Sequence, residues 1–128
     1  MKLPDKKSQE KMLAECMSIL DFEWTRAGFI FPKIKAFNKP EIMLNNRLRS
    51  CGGMYFPLEN KIEINTKLMF CFPVEFEFVV IPHELCHMID FALYGEPKVK
   101  HGHGKTWNEI MVKFGQKPER FLPVHVKL

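Results

Sequence analysis

His83-Glu84-Leu85-Cys86-His87 is the stretch on which the reading of this chain turns. The spacing is H-E-x-x-H. Residues four apart lie on one face of an α-helix, so both imidazoles can reach a single cation, with Zn²⁺ the expected ion. Glu84 then stands beside the open coordination position, where a carboxylate can take a proton from metal-bound water. Two chance histidines on a surface helix would sit in polar sequence. Here Phe76 to Ile81 precede the motif and Met88 to Leu93 follow it, both strongly apolar. Burying a histidine that has no task is costly, so the metal reading is preferred.

A catalytic zinc site needs a third protein ligand and leaves the fourth position to water. Asp90 and Leu93 stand where a metzincin continuation requires Gly and His, which excludes that pattern. Glu109 is a conceivable ligand, but His101-Gly102-His103-Gly104 is the stronger chemical offer. His103 is preferred, because it lies directly before a helix expected to start at Thr106, and His101 is the alternative. The continuation His103-Gly104-Lys105-Thr106-Trp107 reads H-G-x-x-W.

This pair of motifs closely resembles the SprT-like zinc metalloproteases, the group that includes Spartan. Asn46 to Gly53 and Ile62-Glu63-Ile64-Asn65 resemble the strands that precede the active-site helix there, so the likeness covers about residues 40 to 115. It implies an α+β, zincin-like fold with an N-terminal helix, a small antiparallel or mixed sheet, the H-E-x-x-H helix and a short C-terminal helix. It also implies one catalytic Zn²⁺ on His83, His87 and His103, with Glu84 as general base. Its substrates would be DNA-associated or DNA-crosslinked proteins, with the edge strand near Gly53 to Phe56 pairing with the peptide. The donor to the oxyanion stays open among Tyr55, Tyr94 and His101.

Around this centre, Leu13, Met17, Leu20, Trp24 and Ala27 recur at helical spacing from Ser8, with Gly28 as the expected stop. Phe29 to Pro40 reads as a strand between turns. Ile42 to Arg49 alternates with period two, Pro57 to Asn60 reads as a turn, and Lys61 to Asn65 alternates again, which predicts an antiparallel meander. Pro73 suits a first helical turn, and one helix kinked at Pro82 is expected to run to Tyr94-Gly95. Thr106 to Glu109 fits a capping box, and Val124-His125-Val126 a closing strand.

With 128 residues, 46% of them hydrophobic, one domain with a real core is expected. Cys16, Cys51, Cys71 and Cys86 include no C-x-x-C pair, so buried reduced thiols are expected rather than a zinc ribbon. No signal peptide or membrane span is legible, which suggests a cytoplasmic protein, and a monomer is expected. The net charge of +4 permits contact with nucleic acid. Arg47, Arg49, Lys98, Lys100 and Lys105 are the candidates for weak, sequence-independent DNA binding. Two rivals remain: a zinc hydrolase acting on another amide, and a non-catalytic, zinc-stabilised nucleic-acid-binding module. Glu84 argues against the second, since a structural site has no use for an unliganded base.

Overall fold

The computed structural model describes residues 2–96 and 102–119. Helix α1 (Lys6–Ile30) begins at Asp5, whose carboxylate accepts the Ser8 amide at 2.8 Å. It buries Met12, Cys16, Leu20 and Ala27, while Met17 is exposed. Leu20 and Ala27 are thus buried as expected and Leu13 and Trp24 half-buried, while in the first half of the helix Met12 and Cys16 take the fully buried positions expected of Leu13 and Met17. Gly28 is not the stop; it is buried inside the helix, which runs two residues further. The strand expected within Phe29 to Pro40 is instead the end of α1 and a 3₁₀ turn, Pro32–Ala36. Phe31 and Ile34, three apart, both turn inward while Lys33 and Lys35 face water, as a three-residue period requires.

The sheet contains β1 (Glu41–Asn45), β2 (Gly53–Phe56) and β3 (Lys61–Asn65) in the order β1-β3-β2. Strand β2 pairs antiparallel with β3, from Gly53↔Ile64 to Phe56↔Lys61. The turn between them is Pro57 to Asn60, with Asn60 left-handed at φ 50°. Strand β1 pairs with β3 in parallel, Glu41↔Lys61 through Asn45↔Asn65, so the sheet is mixed and the predicted meander is corrected. The alternation also overstates β1. Asn45 Oδ1 accepts the Arg47 amide at 2.9 Å, an Asx turn that ends the strand before the two arginines.

Asn65 closes β3 and caps the next element, α2 (Thr66–Cys71), by accepting the Leu68 amide at 3.1 Å. Sequence reading missed this short helix. Next come α3 (Pro73–Glu75), a π turn (Phe76–Val80) and α4 (Ile81–Tyr94) in one unbroken helical run. In the π turn the Ile81 amide reaches back to the Phe76 carbonyl. The wider turn lies directly before Pro82, where a helix must make room for a proline ring and do without its N–H. Gly95, at φ 78°, ends α4.

Helix α5 (Lys105–Lys113) starts one residue before the expected point, with Gly104 as its N-cap, and the capping box at Thr106 is not formed. Its end is a Schellman motif: Gln116 N–H bonds Met111 O, Gly115 N–H bonds Val112 O, and Gly115 takes φ 85°. Ile62 and Ile64 of the sheet, Leu20 of α1, Leu85 and Ile89 of α4, and Trp107, Met111 and Phe114 belong to one buried core. Cys16 and Cys86 are buried as expected, but Cys51 is half-buried and Cys71 exposed. Among the described residues no helix is long and apolar enough to cross a membrane. The expected strand at Val124 to Val126, with His125, lies outside the described residues.

Candidate metal centre

Helix α4 projects His83 and His87 from one face, and the turn between Gly102 and Gly104 brings His103 to meet them. Gly102 has φ 67°, which lets the chain reverse here at no steric cost. The three Nε2 atoms form a triangle: His83 to His87 is 3.1 Å, and each is 3.2 Å from His103. A tetrahedral ion at ordinary metal–imidazole distances separates its nitrogens by about 3.3 Å, so the donor spacing fits a cation.

Hydrogen bonding alone does not account for the triangle, because neutral Nε2 atoms cannot all satisfy one another. Charge does not account for it either. Burial, then the neighbouring His87 and His103, push the His83 imidazole well below its usual range. Burial and His103 lower His87 to about 3. His83 and His87 are thus neutral near pH 7, the three Nε2 atoms converge on one point, and the group could hold a metal ion. His83 is buried while His87 and His103 are partly exposed, so the open side of the triangle lies toward the last two.

Glu84 lies beside the triangle, its Oε2 3.9 Å from His83 Nε2. It is 2% exposed, and burial raises its carboxyl to about 8 against the opposing hydrogen bond from the Tyr55 amide. Its Oε2 has no hydrogen-bond partner among the described residues. The edge strand β2 lies directly on this side chain. A Cβ on Gly53 would fall 3.2 Å from Glu84 Cγ, 3.3 Å from Val80 Cγ1 and 3.1 Å from the Glu63 carbonyl oxygen. Glycine is what allows the strand to approach so closely.

The remaining candidates fall elsewhere. The Tyr55 hydroxyl, its pKa pushed by burial to about 12, donates to Asn60 Oδ1 at 2.9 Å. Tyr55 therefore meets the site through its backbone rather than its phenol. Tyr94 is exposed two turns beyond His87, with Glu109 on the rim of a separate cleft between the ends of α1, α4 and α5. Arg47, Arg49 and Lys105 are exposed. Lys98, Lys100 and His101 lie outside the described residues.

Sequence reading missed two supports. Thr106 Oγ1 donates to Asp90 Oδ1 at 2.6 Å, tying the start of α5 to α4. Asp90 had a legible signal, since an acid on the buried stripe of a helix needs a donor. Gly53 had none beyond being a glycine at the start of a strand.

Comparison with known proteins agrees with this picture. A family model described as SprT-like family matches residues 22–127. "Protein SprT" of Vibrio parahaemolyticus is 30% identical over 102 residues, 80% of this chain and 54% of that protein. "Protein SprT" of Actinobacillus succinogenes is 38% identical over 67 residues, covering 52% and 38%. "Protein SprT-like" of Streptococcus agalactiae is 33% identical over 69 residues, covering 54% and 46%. The chain thus spans about half the length of these curated relatives or less. No solved structure matches it at a significant level.

Proposed function

The chain belongs to the SprT-like family, and on that premise we propose that it is a zinc-dependent endopeptidase. The observation that carries the proposal is the juxtaposition of three converging imidazoles with a buried carboxyl that is not one of the converging donors. A site built only for folding would use a fourth ligand, not a free acid. His83, His87 and His103 would hold the Zn²⁺, which would supply Lewis acidity to polarise a peptide carbonyl and to make water nucleophilic near neutral pH.

The chain's own residues do the rest. Glu84, whose carboxyl a cation on the adjacent imidazoles would keep ionised, takes the proton of the attacking water at its unpaired Oε2 and passes it to the nitrogen of the leaving amine. The Tyr55 amide and the bare Cα of Gly53 fix that carboxyl in place. Strand β2 is an edge of the sheet, so an extended peptide can pair with it through main-chain hydrogen bonds beside Glu84. That mode of binding tolerates many sequences.

The substrates we propose are DNA-associated proteins, with the DNA held weakly and without sequence preference. Lys105 supports this reading, being exposed two residues beyond His103, as do the exposed Arg47 and Arg49. A contact carried by phosphates weakens steeply as salt rises. The test joins metal analysis to cleavage of a DNA-bound protein, with and without DNA, across a salt series. One zinc per chain and DNA-stimulated cleavage that fades with salt are expected. Cleavage indifferent to DNA, with no binding at low salt, would leave a zinc peptidase of another substrate class.

A further inference from the structure

We propose that Trp107 is a positioning residue for the metal centre, its indole fixing the orientation of all three imidazoles; the inference rests on the metal-site reading above. The indole is fully buried. Its ring centroid lies 4.9 Å from His83, edge-on at 63°, and 4.6 Å from His103, edge-on at 79°. Against His87 it is stacked, 5.3 Å away with 16° between the planes. Phe114, another buried aromatic of the same core, instead packs on Phe31 and under the Arg26 guanidinium.

The arrangement answers a need that hydrogen bonding leaves open. A metal-ligating histidine is ordinarily oriented by an acceptor on its second ring nitrogen. His83 Nδ1 is buried and has no such partner among the described residues. The orientation of that ring must then come from packing, and the indole edge is part of what packs on it. The indole is itself anchored. Thr106, the preceding residue, is bonded to Asp90, and Asp90 lies on the same helix as His83 and His87. The relay from α4 through Asp90 and Thr106 to Trp107 returns to the imidazoles of α4, and His103 is clamped within the loop so formed. Ligands held by such a closed set of contacts need little reordering to receive an ion.

The test is metal affinity, read apart from activity. Trp107→Phe and Trp107→Leu are compared with wild type and with Phe114→Leu, a core control that leaves the imidazoles untouched. Zinc affinity is measured by competition with a chelating dye, the visible spectrum of the Co²⁺-loaded protein is recorded, and thermal unfolding is followed without metal. Trp107→Leu should bind zinc about tenfold or more weakly, as loss of a ligand's orienting partner does. Trp107→Phe should recover most of that affinity, with an altered Co²⁺ spectrum. Phe114→Leu should lower the unfolding temperature and keep wild-type affinity. Wild-type affinity and spectrum in both Trp107 variants would overturn the inference, as would an affinity loss that merely follows the loss of stability in all three variants. If Trp107→Leu does not fold, a wild-type spectrum and affinity in Trp107→Phe overturn it alone. A wild-type chain that takes up neither metal would refute the metal centre, and this inference with it.

Discussion

Glu84→Gln should make the metal-free protein more stable, by an amount that grows with pH. The Glu84 carboxyl is raised from its ordinary 4.5 to about 8 by burial. Above pH 4.5 the unfolded chain releases this proton while the fold retains it, so the fold binds more protons and loses stability as pH rises. The loss runs at about 1.4 kcal/mol per pH unit up to the folded value. Between pH 4.5 and pH 7 it amounts to about 3 kcal/mol, an upper figure because the metal-free site can relax. Glutamine keeps the shape and can still accept the Tyr55 amide, but it has no proton to lose. Urea unfolding of chelator-treated wild type and variant at pH 5, 6, 7 and 8 measures the difference directly. The histidines titrate in both chains, so the gap isolates the carboxyl. It should be small at pH 5 and reach roughly 2–3 kcal/mol by pH 7 to 8. A variant less stable than wild type, or a gap independent of pH, would refute the burial argument.

Other perturbations give separate outcomes. Gly53→Ala places a methyl against Glu84 Cγ and the Glu63 carbonyl; it should cost about 1–3 kcal/mol in denaturant unfolding and reduce cleavage while zinc content stays at wild type. Thr106→Val removes the donor to buried Asp90; a loss of about 1–3 kcal/mol is expected, with Thr106→Ser close to wild type in the same unfolding assay. His103→Ala should lose stoichiometric zinc and His101→Ala should keep it, so metal analysis of the two proteins checks the third ligand. The metal-free wild type should weaken as pH falls from 6.5 toward 3. His83 and His87 are held neutral in the fold and charge first in the unfolded chain, and acid unfolding followed by circular dichroism reads this.

The site was more legible in the sequence than the sheet that supports it. His83 and His87 declare themselves because helical spacing is local, and His103 because two glycines and a following helix mark a turn. The order of the strands was not legible. A parallel β1-β3 pair depends on how the chain crosses from Asn46 to Gly52, and period-two alternation is blind to direction. The π turn before Pro82 was half legible: the proline announces a disturbance, but not which turn of the helix absorbs it. At Thr106 the capping-box pattern was present, yet the hydroxyl is spent on Asp90 and Gly104 takes the cap. A long-range partner prevailed over a local one. Gly53 and the Tyr55 amide matter only because β2 lies against α4, which no local pattern encodes.

The most direct test of the central claim is made on one sample of Glu84→Gln, prepared beside wild type. Zinc per chain and hydrolysis of an unstructured protein substrate are measured on the same material. The assignment of Glu84 as base, and not ligand, predicts one zinc per chain in both proteins and hydrolysis in wild type alone. Zinc lost from the variant, or hydrolysis undiminished in it, would contradict that assignment.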